Sequence, residues 1–133
     1  MIDIEAAVYT PIAQAVRTEF PGANVTGEYV RVPAGFPHIS IVEADNYTSI
    51  AKEDTSLTEK YSTVMYEVNV YSNKQSGKKT EARSILKLID GMMFERNFTR
   101  LSMTPVPNME DSTIYRLTAR YRAETDGTKL YRI

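Results

Sequence analysis

His38 is the one imidazole in the chain. Alone, it cannot build a histidine-rich metal site or a paired-histidine acid–base scheme. It could serve a serine nucleophile, but that chemistry sets the serine in a Gly-x-Ser-x-Gly elbow, and the sequence contains none. Its setting, Gly35-Phe36-Pro37-His38 at the start of an apolar run, assigns it a partly exposed structural role. Ser76-Gly77-Lys78-Lys79-Thr80 follows an apolar alternating run and opens a helical pattern, as a phosphate-binding loop does. Such a loop needs an earlier glycine, so that backbone amides can wrap the anion, and Ser or Thr after the lysine to hold magnesium. Those positions hold Ser72 and Lys79. The segment reads instead as a turn leading into a helix N-terminus. Carboxylates are numerous but scattered, with no spacing that marks a metal cage or a glycosidase pair. With no cysteine there is neither a disulfide framework nor a thiolate site, which fits a reducing compartment. These residues predict no enzyme, no cofactor and no metal.

A different chemistry is suggested near the C-terminus, where Tyr115, Arg116, Arg120, Tyr121, Arg122, Tyr131 and Arg132 interleave rings with cations. Bases can stack on such rings while arginines hold phosphates. Strand alternation separates the two sets, however. Tyr115, Leu117, Ala119 and Tyr121 fall on one face, Arg116, Thr118, Arg120 and Arg122 on the other. The tyrosine face reads as core, leaving a row of three arginines available to carboxylates of a neighbouring molecule.

The elements that must position these residues follow from periodicity. Ile4, Val8, Ile12, Ala15, Val16 and Phe20 share one helical face, so a helix is expected over Asp3–Phe20, kinked or restarted near Tyr9-Thr10 by Pro11 and ended by Pro21-Gly22. Ala82, Ile85, Leu86, Ile89, Met92 and Met93 predict a second helix over roughly Lys78–Glu95. Strands are expected at Val25–Val32, Ile39–Val42, Thr63–Ser72, Phe98–Met103, Thr113–Ala123 and Thr128–Ile133, the last two joined by the Asp126-Gly127 turn. The polar stretch 45–62 reads as an extended arm or long hairpin, with Tyr47, Ile50 and Leu57 as its candidate anchors. Together these predict one α+β domain over 1–133. Its mainly antiparallel, possibly mixed sheet of about five or six strands packs against two helices.

The 133 residues carry a net charge of −1, so no overall pull towards nucleic acid or acidic lipid is expected. No run approaches the roughly 18 apolar residues of a membrane span, and the acidic start Met1-Ile2-Asp3-Ile4-Glu5 is unlike a signal peptide. A soluble protein made in a cytoplasm is expected. Charge is nevertheless segregated. Glu43, Asp45, Glu53, Asp54 and Glu59 face only Lys52 in one stretch, while Lys74, Lys78, Lys79, Arg83 and Lys87 face only Glu81 in another. Unlike patches on one small domain suit head-to-tail self-association. The expected interface therefore comprises Tyr47, Ile50, Glu53, Asp54 and Leu57 on one side, with Lys78, Lys79, Arg83, Arg116, Arg120 and Arg122 on the other.

Three stretches resemble one known family. They are Tyr66-Glu67-Val68-Asn69-Val70-Tyr71-Ser72-Asn73 running on through Gly77-Lys78-Lys79, the block from Thr104-Pro105-Val106-Pro107-Asn108 to Thr118-Ala119-Arg120-Tyr121, and Gly27-Glu28-Tyr29-Val30 followed by Phe36-Pro37. They are similar, in order and across most of the chain, to small tail-completion proteins of tailed bacteriophages. The resemblance implies a tail terminator of a long-tailed, siphovirus-type phage or prophage, made in the host cytoplasm and ending at the tail–neck junction of the virion. Such proteins form a ring, typically a hexamer, that caps the tail-tube protein and offers a docking surface to the head connector, while DNA passes through unread. A neighbouring neck component and a small nucleic-acid-binding module are the alternative readings.

Overall fold

The computed structural model describes residues 1–48, 61–107 and 111–133. Its elements are α1 (Glu5–Glu19), β1 (Asn24–Thr26), β2 (His38–Thr48), β3 (Ser62–Ser72), α2 (Lys78–Glu95), β4 (Thr99–Val106), β5 (Tyr115–Thr125) and β6 (Leu130–Tyr131). The architecture is α+β, two helices against a six-stranded mixed, mostly antiparallel sheet, in agreement with expectation. Strand order is β1-β2-β3-β5-β4, with β6 pairing beyond β4 on the same strand, β5. Among the described residues only β1 and β2 run parallel.

Alternation along β3 decides which side is core. Val64, Tyr66, Val68 and Val70 stand opposite Ala123, Tyr121, Ala119 and Leu117 of β5, and Val68 and Val70 also face Ile41 and Ile39 of β2. All ten are buried in one cluster with Val8, Ile12 and Val16 of α1 and Ile85, Leu86, Ile89 and Met93 of α2. Both helices thus lie on the same side of the sheet. Spacings of three and four residues put each helix's apolar side chains on the stripe that meets it. Tyr66 and Phe98 meet edge to face at 5.5 Å, an arrangement that aligns ring edge with ring face and adds about 0.5–1.5 kcal/mol to simple burial.

Local chemistry sets the ends. Gly77 precedes α2 with φ of 87°, a left-handed turn residue, as its sequence context implied. Asn97 closes the same helix at φ of 68°, and the Phe98 amide then bonds back to the Met93 carbonyl at 3.0 Å. Gly127, φ 96°, completes the turn between β5 and β6.

Several expected boundaries differ. α1 is one helix through Pro11 rather than two pieces. The carbonyl that Pro11 leaves without an amide is that of Ala7, an exposed residue, where solvent can satisfy it. β1 ends at Thr26, so the expected strand to Val32 is replaced by a connection, 27–37, that turns back so that β2 can lie parallel to β1. β2 continues to Thr48, and its last residues pair with the start of β3, Thr48 opposite Ser62. Residues 45–48 of the expected arm are therefore strand, while 49–60 lie outside the described residues. β4 runs on through Pro105, which an edge strand tolerates because one row of its amides has no ladder partner. β6 is only two residues long, shorter than expected.

A candidate assembly surface on the open face of the sheet

The helices cover one face only. The other is a grid of side chains set by register. His38, Tyr71, Arg116 and Val106 form one row across β2, β3, β5 and β4; Ser40, Asn69, Thr118 and Thr104 form the next; Val42, Glu67, Arg120 and Ser102 form the third. Met65 and Arg122 continue the pattern.

This face is polar but internally bonded. Asn69, fully buried, accepts from Arg116 Nε at 3.0 Å and Thr118 Oγ1 at 2.7 Å, and its amide donates to Glu67 Oε2 at 3.1 Å. Arg120 donates to Glu67 Oε1 through Nε and Nη2, both at 3.1 Å. The Tyr29 hydroxyl reaches the same carboxylate from the 27–37 connection. Tyr71 donates to the Val30 carbonyl, takes the Arg116 guanidinium over its ring at 5.5 Å, and lies tilted to the His38 ring with centroids 6.0 Å apart. The connection therefore lies across part of this face. That explains how Glu67 and Tyr71 are buried on a side without helices.

The electrostatics follow from these contacts. Burial pushes the Glu67 carboxyl up, but hydrogen bonds from Asn69, Tyr29 and Arg120, together with the Arg120 charge, outweigh it and hold it below the ordinary carboxylate range. Burial holds His38 below its ordinary value and so keeps it neutral near pH 7. At 5% exposure His38 is more enclosed than its sequence context suggested, with Nε2 3.4 Å from Thr26 Oγ1 across the parallel β1–β2 pair.

Acid should therefore weaken the fold in two stages. Both groups take up protons more readily unfolded than folded, so both contributions are complete at neutral pH. The His38 contribution begins to fade as pH falls below about 6.5, and that of Glu67 as pH falls below about 4.5. Urea unfolding at stepped pH should show both declines, and His38→Gln should remove the first alone.

The three arginines of the expected row do share this face, yet two of them are engaged within their own chain. Arg116 is half-buried against Asn69 and Tyr71. Arg120 holds Glu67 but leaves 61% of its side chain exposed, so donors remain for another molecule. Arg122 is half-buried, its Nε enclosed without a hydrogen-bond partner among the described residues. Lys78, Lys79 and Arg83 lie in the helix layer, on the other side of the sheet. Lys78 spans the carbonyls of Ser112 and Thr113 at 3.4 and 3.3 Å, tying α2 to the start of β5, while Lys79 and Arg83 are exposed. Tyr47, near the end of β2, is 46% exposed. Ile50, Glu53, Asp54 and Leu57 lie outside the described residues.

The sequence reading placed Thr118 on the arginine face but did not name Tyr29, Glu67, Asn69 and Tyr71 as members of this surface. The available signal was polar Glu67 and Asn69 alternating with the valines of β3, which marks an uncovered strand face. No protein-family model matches the chain, and no curated protein sequence does so significantly.

Proposed function

We propose that the chain is a tail terminator of a long-tailed phage or prophage, a structural protein rather than an enzyme. Copies assemble head to tail into a ring, a hexamer by the family resemblance. The ring caps the tail tube, ends its growth and receives the head connector. The observation that carries the reading is the open sheet face. It is broad, polar and held rigid by cross-strand bonds, with Arg120 presenting unused donors and Tyr29 and Val32 of the overlying connection 58% and 65% exposed. A face of this kind suits contact with another protein surface, since side chains already locked by their neighbours lose little freedom on docking. The acidic stretch 43–59 and the basic stretch 74–87 support the head-to-tail arrangement, in which unlike surfaces meet.

Native mass spectrometry of the purified protein, alone and with isolated tail tubes, tests this. A closed oligomer of 15.1 kDa subunits that caps tube ends in electron micrographs is expected. A monomer that persists at high concentration and leaves tubes growing overturns it. Lys79→Glu with Arg83→Glu should lower oligomer mass without changing circular dichroism, because both side chains are exposed on α2. Unchanged mass removes that part of α2 from the interface. DNA cellulose should retain the protein only weakly at moderate salt; a steep salt dependence would favour nucleic-acid binding instead.

A further inference from the structure

We propose that copies of this chain join edge to edge, β4 of one pairing antiparallel with β2 of the next, so that Arg100 of one copy lies beside Glu43 of its neighbour. This inference rests on the head-to-tail assembly proposed above and names the strands that make the contact. Both edges are open among the described residues. β4 ends the sheet, with β5 on its inner side. β1 pairs with β2 only at 38–40, so from Val42 to Tyr47 the β2 edge away from β3 has no ladder partner. Open edges present unpaired amides and carbonyls that another strand can take up.

The ladder register brings the charges of the two edges into line. Arg100, Tyr121, Tyr66 and Glu43 stand in one row across β4, β5, β3 and β2, so the row ends in a cation at one edge and a carboxylate at the other. Both ends lie on the helix side. Arg100 meets Asp90 of α2 at 3.2 Å, and the Glu43 carboxylate lies within 4.8 Å of those of Asp3 and Glu5 at the start of α1. Three antiparallel steps separate β4 from β2, so the two strands run in opposite directions. A second copy set beside the first, same face outward and unshifted, therefore continues the antiparallel pattern and carries the row from Arg100 into the next Glu43.

The surroundings of each end carry the same sign as the end itself. Arg83, Lys87 and Arg100 line a groove of about 500 Å³ between α2 and β4, with Asp90 the acid among them. Arg100 meets Asp90 through Nη1 and leaves 47% of its side chain exposed, so donors remain for a second carboxylate. Unlike charges directly across a strand pair stabilise it, and like charges oppose it. A twofold contact, β4 to β4 or β2 to β2, would bring like patches together. The head-to-tail contact joins unlike ones. Pairing through the edges occupies neither face of the sheet, which leaves the open polar face to other partners of the proposed ring.

Native mass spectrometry of two charge variants of the full chain tests this. Glu43→Lys and Arg100→Glu should each weaken assembly about tenfold or more, since each sets like charges across the junction. An equal mixture of the two should restore the oligomer, with both variants present in equal number, because every junction then joins unlike charges again. Should either variant lose its circular dichroism, the absence of native cysteine offers a second measurement. Val42→Cys and Ser102→Cys, at the two ends of the adjacent row, should give a disulfide-linked dimer only when the two variants are mixed. Wild-type assembly without restoration by the folded charge variants, or without the mixed disulfide, overturns the edge pairing and leaves the ring reading standing. A wild-type chain that stays monomeric overturns both.

Discussion

Asn69→Leu should lower the unfolding free energy by about 3 kcal/mol, although the two side chains are close in volume. Nothing is lost in packing area. What is lost is one amide that joins three neighbours. Its removal leaves Thr118 Oγ1, Arg116 Nε and Glu67 Oε2 without the partners they have now, in a place where Thr118 is 8% and Glu67 7% exposed. An orphaned buried polar group forfeits the full cost of leaving water, and a carboxylate forfeits more than a hydroxyl. Thr118→Val removes a single bond of the same network and should cost about 1 kcal/mol. Urea denaturation of both variants measures the difference. Equal losses would show that Asn69 acts only as a filler, with Arg116 and Glu67 finding other partners.

Ile89→Ala is the second large effect, through the opposite face. Ile89 is fully buried on the α2 stripe that meets the sheet, between Leu86 and Met93. Truncation removes its contribution to burial and leaves a void that close-packed neighbours fill only in part, so a loss of about 2–5 kcal/mol is expected. Leu88, on the same helix but half-buried, should cost clearly less when cut to alanine. The same urea titration compares them. A matching loss at both positions would place the apolar stripe elsewhere on α2.

These two sites show what could be read beforehand. Ile89 was legible because spacing alone puts it on the same face as Ile85, Leu86 and Met93, and a helix has only one such stripe to bury. Asn69 was not. Its alternation with the valines of β3 says only that it points away from the core. Its meeting with Thr118 and Arg116 depends on the β3–β5 register, and β4 and α2 intervene in the chain. Long-range pairing is set by the whole fold, so one strand read alone carries no trace of it. Tyr29 was hidden for a related reason. A stretch rich in valine and tyrosine reads as strand, but the parallel placement of β1 against β2 requires 27–37 to turn back, and the connection rides over the sheet instead. The arginine row was correctly placed on one face, yet its engagement with Glu67 and Asn69 could be seen only once β3 stood beside it.

The place of β5 sets the timing of folding. Ser62 at the start of β3 meets Thr125 at the end of β5, and β5 alone links β3 to β4 and β6. Until residues 115–125 have left the ribosome, a growing chain can pair β2 with β1 and β3 and lay α1 and α2 on that sheet, but half the β3 ladder is unmet and β4 has no strand to join. Closing so distant a pair is slow, because chain entropy must be surrendered before contacts reward it. The β3 ladder is therefore completed only after both helices and β4 have been made.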